Sequence, residues 1–129
     1  MAQIKVTKVE VENAKQRIMA VVARISQGTN RGLREWGEET MLLAKERCPV
    51  DTGALRSTGK STVNSSAMLE LSFGGPAVNY AFTVHEGIRD GRPINFRSGQ
   101  SKFLESAIDE RESKLRDAVK DSISREVGR

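Results

Sequence analysis

Two stretches of helical periodicity flank a central stretch in which apolar and polar residues alternate. The first has apolar residues at helical spacing: Ile18, Val21, Val22 and Ile25. In the second, from Ser101 onward, they follow in steps of four and seven: Leu104, Ile108, Leu115, Val119, Ile123 and Val127. Because the predicted strands are grouped between helices, the order predicts an α+β fold. We expect a small antiparallel sheet of about three to four strands packed against long N-terminal helices and a C-terminal helix.

The composition indicates one globular domain spanning residues 1–129, in which 37% of the residues are hydrophobic and 29% are charged. Only 5% are aromatic, so we expect partner surfaces to supply part of the apolar burial. Cys48 is the single cysteine and cannot form a disulfide within the chain. The N-terminal stretch lacks the apolar core of a signal peptide, and no apolar run approaches the ~20 residues of a membrane helix. These features predict a soluble protein made and kept in a cytoplasm.

The N-terminal half is predicted to hold one strand and two helices. Ile4–Glu12 is rich in β-branched residues that alternate with charges, which is typical of a strand. Asn13 is a suitable N-cap for the helix that follows. The two glycines of Ser26–Gly32 predict a break or kink, because glycine weakens a helix interior. A second amphipathic segment then runs to Pro49, which ends it. Its stripe consists of Leu33, Trp36, Thr40, Leu43 and Arg47, flanked by Ala44.

The central stretch predicts a hairpin followed by a third strand. Arg56–Asn64 and Met68–Phe73 are separated by residues that favour a turn. Val78–His85 alternates apolar and polar residues, which is the pattern of a half-buried strand. The stretch 87–101 is rich in Gly and Arg, and we expect it to form a flexible loop. Ser101 is the predicted N-cap of the last helix.

The segment "CPVDTGALR" contains Asp-Thr-Gly, the signature of the retroviral type of aspartic protease. That chemistry needs two carboxylates that share one proton. Asp51 instead follows the end of an amphipathic helix, and no second apolar strand of the required type lies downstream. We therefore predict a rigid elbow, in which Pro49 stops the helix and Asp51, with Thr52, bonds to the backbone in a turn. Gly53 would supply a positive φ, and Leu55 would anchor the next strand.

Other catalytic or metal-binding arrangements find weak support. Cys48 and His85 are a conceivable nucleophile pair. A lone cysteine near an apolar helix end more often packs, and a lone histidine at a strand end is usually a surface group. One His and one Cys cannot supply a zinc cluster, and no phosphate-binding or dinucleotide motif is present. We expect no cofactor, no metal and no enzymatic activity.

A basic cluster lies in and beside the predicted loop. It consists of Arg89, Arg92, Arg97 and Lys102, with Asp90 as the one acidic residue among them. Such a loop could face a polyanion or simply be solvated. Phe96 is the one aromatic residue within the loop, and no recognised nucleic-acid-reading motif is present, so sequence-specific reading of nucleic acid is not indicated. Contact with a DNA backbone stays open.

Three segments together resemble one known family. They are "AKERCPVDTGALRST", "NYAFTVHEG" and "SKFLESAIDE". This pattern resembles the tail-completion or neck proteins of long-tailed bacteriophages, also described as head–tail joining or minor tail components. The resemblance covers roughly residues 31 to 110. His85 before Glu86, and Ser101-Lys102 before Phe103, depart from the family pattern. The matching positions are the elbow motif Cys48, Pro49, Val50, Asp51, Thr52, Gly53, Leu55 and Arg56, and the strand motif Tyr80, Ala81, Val84, Glu86 and Gly87.

The resemblance implies a structural role in the virion and no catalysis. It implies a homo-oligomeric ring, sixfold in many such proteins, in the neck between the DNA-filled head and the tail. The partners would be neighbouring neck, connector and tail proteins, with packaged DNA in the channel and no membrane. The basic cluster would line the channel or dock on the next ring. A tail terminator ring is the alternative within virion assembly, and a non-specific DNA-binding protein is the alternative from another class.

Overall fold

A single long helix forms the N-terminal part of the molecule. The computed structural model describes residues 8–50 and 53–128, and helix α1 spans Lys8–Arg47. With a rise of about 1.5 Å per residue, α1 is about 60 Å long. The predicted strand Ile4–Glu12 is wrong from Lys8 onward, where the chain is helical, and its earlier residues lie outside the described part. Asn13 is consequently inside the helix and is not its N-cap.

The predicted break at Ser26–Gly32 is also wrong, because a second helix packs against the two glycines. Helix α4 spans Phe103–Val127. A Cβ on Gly28 would stand 2.6 Å from the Cα of Ile123. The absence of a side chain therefore lets the two backbones approach, and this contact offsets the weak helix propensity of glycine.

Helices α1 and α4 run antiparallel along the second half of α1, residues 28–47. The indole N–H of Trp36 donates to the backbone carbonyl of Arg111 over 2.8 Å. Near the other end of the contact, Arg47 forms an ion pair of 2.9 Å with Glu110. The predicted α1 stripe is confirmed in part, since Trp36, Thr40 and Ala44 are buried while Leu33, Leu43 and Arg47 are half-buried. On α4 the buried residues are Phe103, Ala107, Ser122 and Glu126, and the predicted stripe is half-buried except for Val127, which is exposed.

The predicted hairpin is confirmed, but its first strand is shorter than predicted, because Arg56 and Ser57 are helical and the strand begins at Lys60. Strands β1 (Lys60–Val63) and β2 (Leu69–Ser72) pair antiparallel, with Val63 opposite Leu69. In the turn, the side-chain oxygen of Asn64 accepts the backbone N–H groups of Ser66 and Met68. The hairpin packs on α1 at Gly37, where a Cβ would stand 2.5 Å from the hydroxyl of Ser61.

Two short helices and a small second hairpin fill the rest of the chain. Helix α2 covers Ala54–Ser57 and helix α3 covers Ala81–Glu86. The predicted strand Val78–His85 is therefore wrong. Strands β3 (Ile88–Arg89) and β4 (Arg92–Pro93) pair within the stretch predicted as a loop. The fold is α+β, as predicted, with its four described strands in two separate antiparallel pairs and with one N-terminal helix in place of several.

The apolar core lies where α1, α4 and the first hairpin meet. One cluster consists of Cys48, Leu55, Val78 and Phe103, and the other of Met41, Ala44 and Ala107. Phe73 packs against both clusters, and its ring meets that of Phe103 edge-on with centroids 4.9 Å apart. Neither α1 nor α4, nor any other helix in the described part of the chain, is long and apolar enough to cross a membrane.

Candidate functional site

The elbow after α1 and the basic stretch 87–101 lie against each other. The N–H of Gln100 donates to the backbone carbonyl of Arg47 over 2.9 Å. The N–H of Val50 donates to the hydroxyl of Ser98 over 3.2 Å. Gly99 makes this approach possible, since a Cβ at that residue would stand 2.5 Å from the nitrogen of Pro49. The end of the basic stretch is thus docked on the end of α1.

An open groove of about 650 Å³ lies between these segments. Its apolar lining comes from the elbow, from the segment around α3 and from the basic stretch. These side chains are Val50 and Leu55, Tyr80 and Val84, and Ile94 and Phe96. The structure therefore brings together three segments that the sequence presented separately.

The predicted basic cluster divides into two parts. Arg89 and Arg97 line the groove, and Arg92 is exposed on β4. These three arginines form no ion pair with any side chain in residues 8–50 or 53–128. Lys102, by contrast, forms an ion pair with Glu86. Within the predicted basic cluster, the three arginines are therefore more available to an outside partner than Lys102 is.

The Glu86–Lys102 pair closes the base of the basic stretch. A hydrogen bond from the ammonium group of Lys102 is the main cause that lowers the pKa of Glu86. The same bond raises the pKa of Lys102. Lys102 also precedes α4 with a φ of 55°, a left-handed conformation that costs energy in residues other than glycine. It replaces Ser101 as the residue that precedes the helix, so the predicted N-cap is wrong.

The elbow has part of the predicted form. Gly53 has a φ of 84°, which confirms the positive φ expected of it. Leu55 is buried, but it lies in α2 and does not begin a strand. A side-chain N–H of Arg56 donates to the backbone carbonyl of Cys48 over 3.4 Å, which ties the two arms of the elbow. Asp51 and Thr52 lie outside the described residues, so the predicted turn bonds are untested.

Cys48 and His85 do not form a hydrogen-bonded pair. The thiol of Cys48 is fully buried and donates to the carbonyl of Pro49 over 3.5 Å, and burial raises its pKa. The ring of His85 packs edge-on against Phe103 with centroids 5.0 Å apart. A raised pKa disfavours the thiolate that a nucleophile requires. In residues 8–50 and 53–128, no three His, Cys, Asp or Glu side chains form a group suited to a metal ion.

The predicted strand motif forms a helix closed by glycine. Tyr80 precedes α3, and Gly87 follows it with a φ of 73° while its N–H donates to the carbonyls of Thr83 and Val84. This is a left-handed C-cap. The combination of Ala81 and Val84 at helical spacing with a following Gly87 was the signal in the sequence that could have indicated a helix. No local pattern in the sequence indicated that Ile94 and Ser98 line the groove, because their positions depend on the contact between Gly99 and Pro49.

No protein-family model matches the chain, and no curated protein or solved structure is significantly similar to it.

Proposed function

We propose that this protein is a structural component of a tailed-phage virion, a neck or tail-completion subunit that helps to join the DNA-filled head to the tail. The proposal begins from the resemblance of the elbow motif, the Tyr80–Gly87 segment and the start of α4 to that family. The observation that carries it further is the convergence of these segments. The elbow and the Tyr80–Gly87 segment line one groove, and Glu86 and Lys102 join the latter to the start of α4.

Convergence of this kind suits a docking site better than a catalytic site. The groove is lined by both apolar and polar groups, and among the residues that the structure describes its titratable side chains are Arg89, Arg97 and Tyr80. A catalytic acid or base needs a carboxylate, an imidazole or a similar group within reach of substrate. A groove with apolar walls and arginines beside it can instead hold a segment of a neighbouring neck or tail protein.

Apolar residues left in solvent support an oligomer. Leu42 on α1 is 63% exposed, Met68 beside β2 is 60% exposed, and Phe82 on α3 is 76% exposed. Exposed apolar area of this extent is characteristic of surfaces that subunits cover. A ring with an open channel, sixfold as in the family that the chain resembles, would place some of these surfaces between copies.

The alternative from another class is a non-specific DNA-binding protein. The three exposed arginines at residues 89, 92 and 97 favour it, together with a formal net charge of +4. A steep fall in DNA affinity with rising salt would support that function, because each phosphate contact releases counterions.

Electron microscopy of a lysate tests the proposal. The phage or prophage that encodes the chain would carry a stop codon in its gene, and a plasmid copy would serve as the control. Filled heads and normal-length tails that lie unjoined would support the neck function. Tails of abnormal length would identify a tail terminator instead, and whole infectious particles would contradict both virion functions.

A further inference from the structure

The first half of α1 extends beyond the helix that covers the second half. We call residues 8–27 of α1 the arm. Every arm residue is exposed, whereas buried residues appear from Gly28 onward. At about 1.5 Å per residue, the arm is about 30 Å long. It is a helix that leaves the body of the molecule without packing on it.

The arm carries an apolar stripe with alternating steps of three and four residues. The arm stripe consists of Val11, Ala14, Ile18, Val21 and Ile25. This spacing places all five on one side of a helix, as in the seam of a coiled coil. Polar residues such as Asn13 and Gln16 lie elsewhere on the helix surface. A stripe of this kind in water indicates a surface that a second helix covers.

The arm stripe is continuous with the surface that α4 already covers. The same three-and-four spacing leads from Ile25 to Gly28 and then to Gly32. Gly28 contacts Ile123, and Gly32 contacts Val119, both on α4. Arg31 pairs with Glu126 over 2.5 Å, one residue before the last of α4. One seam therefore runs along α1, and the C-terminal end of α4 lies beside the C-terminal end of the arm.

We propose that the arm stripe is covered by the arm of a second copy of this chain, packed antiparallel. Helix α4 runs antiparallel to α1, so an antiparallel second arm continues along the track that α4 leaves. A parallel second arm would lead its own α1 into the space that α4 occupies. In the antiparallel arrangement each arm covers the other across a twofold axis, so the contact closes as a dimer.

The charges beside the stripe fit this arrangement. Glu10 and Arg24 lie on the same flank of the helix, 14 positions apart. When Val11 of one arm faces Ile25 of the other, Glu10 of each copy lies near Arg24 of the other. Arg17 is one residue from the twofold axis, which passes through Ile18, and lies beside its own symmetry mate, so two attractive pairs offset one repulsive pair.

This contact is a property of the isolated chain and does not rest on a role in the virion. If the isolated chain does not dimerise, the proposed neck function is unaffected. If the neck function is wrong, the proposed dimer is likewise unaffected. Sedimentation equilibrium of the full chain should be measured from about 1 µM to about 300 µM, the range in which weak pairs dissociate. We expect a reversible monomer–dimer equilibrium.

Two matched double variants locate the contact. I18E/I25E places charges on the arm stripe, and V9E/A23E places the same number on the opposite side of the arm. I18E/I25E is expected to raise the dimer dissociation constant at least about 100-fold, since buried unpaired charges are costly. V9E/A23E is expected to dimerise like the wild type. Fluorescence of Trp36, which lies in the body, confirms that each variant is folded.

Disulfide trapping reports the orientation. A mixture of the V11C and I25C variants is expected to give a mixed disulfide, and V11C alone is not. The wild type serves as the blank, because Cys48 is fully buried. A disulfide between two V11C chains would overturn the antiparallel arrangement. A wild type that stays monomeric throughout, or a dimer that I18E/I25E leaves intact while F96D abolishes it, would overturn the arm contact itself.

Discussion

Gly32 lies so close to Val119 that a Cβ at residue 32 would stand 2.7 Å from the Cα of Val119. Four residues earlier, Gly28 has the same relationship to Ile123. At this end of their contact, the backbones of helices α1 and α4 therefore pack directly against each other, without intervening side chains from α1. At the other end, polar groups connect them, including the Arg47–Glu110 ion pair.

Replacement of Gly32 by alanine should destabilise the protein, although the same change in an ordinary helix stabilises it by about 1 kcal/mol. The added methyl group collides with the backbone of α4, which cannot move like the end of a flexible side chain. We expect the free energy of unfolding to fall by about 1–3 kcal/mol, as in overpacked cores. Urea denaturation followed through the fluorescence of Trp36, the single tryptophan, measures this directly.

Arg34→Ala is the matched control for that variant. Arg34 is exposed on the same helix, two residues away, so its replacement should change the free energy of unfolding by less than about 0.5 kcal/mol. A G32A protein as stable as the wild type would show that the two helices separate at this point without cost.

The glycines also show why one part of the fold could not be predicted from the sequence. Gly28 and Gly32 weaken a helix by their intrinsic propensity, and that local argument led to the predicted break. The compensating contact with α4 is about 90 residues away in the chain, and local periodicity carries no information about it. By contrast, the hairpin Lys60–Val63 and Leu69–Ser72, the stop at Pro49 and the last helix depend on local signals and were predicted correctly.

The sequence indicated the segments that form the candidate site, but it did not indicate that they lie against one another. The positive φ of Gly53 follows from local turn chemistry and is confirmed. The alternation in Val78–His85 was misleading, because Ala81 and Val84 also share one helical face, and the short helix uses that face against the core. The docking of Ser98 on Val50 joins elements about 50 residues apart, so no local pattern could reveal the groove.

Gly99→Ala should release the basic stretch from the elbow. Gly99 has a φ of 74°, and its Cβ position is 2.6 Å from the Cα of Pro49. Gly91 has a φ of 75° and nothing within 4 Å of its Cβ position, so Gly91→Ala is a matched control that adds backbone strain alone. That strain is about 1–2 kcal/mol. Gly99→Ala should cost more.

Hydrogen exchange at the amide of Gln100 distinguishes these two variants. That amide donates to the carbonyl of Arg47, and its protection depends on docking. We expect faster exchange in G99A and wild-type exchange in G91A. Equal protection in both variants would mean that the stretch stays docked despite the collision.

Acid should weaken the attachment of the start of α4. The Lys102 ammonium group lowers the pKa of Glu86 below its ordinary value of 4.5. Stabilisation by this pair is therefore fully present above about pH 4.5 and is lost as the pH falls through the lower folded-state pKa. The raised pKa of Lys102 places the alkaline loss above 10.5.

Thermal unfolding between pH 3 and pH 7 tests this pH dependence. In the wild type, protonation of Glu86 causes part of the decrease in Tm as the pH falls toward 3. Glu86→Gln should therefore show a smaller decrease in Tm over the same pH range. Lys102→Met should remove most of the part that comes from Glu86, since it removes the largest cause of the lowered pKa of Glu86. Identical pH profiles for the wild type and both variants would show that the pair does not contribute to stability, as is found for many exposed ion pairs.

Neutralising Arg89, Arg92 and Arg97 should impair the function of the basic stretch without unfolding the protein. All three are exposed and form no ion pair with a described side chain, so replacement by glutamine should leave the Tm within a few degrees. Removing three exposed cations should lower head–tail joining or DNA retention in a complementation assay. If the arginines contact phosphates, the salt dependence of DNA binding should flatten by up to about 2.7 log units per log unit of salt.

A triple variant on α4 separates location from total charge. Lys114, Arg116 and Lys120 are exposed on that helix, and their replacement by glutamine changes the net charge by the same amount. We expect this control to complement fully and to keep the wild-type salt dependence. If both triple variants complement equally poorly, the net charge of the protein determines the phenotype, because loss of a local contact would impair only the variant of the basic stretch. If the loop variant assembles infectious particles at the wild-type level, then the arginines beside the groove serve neither docking nor DNA.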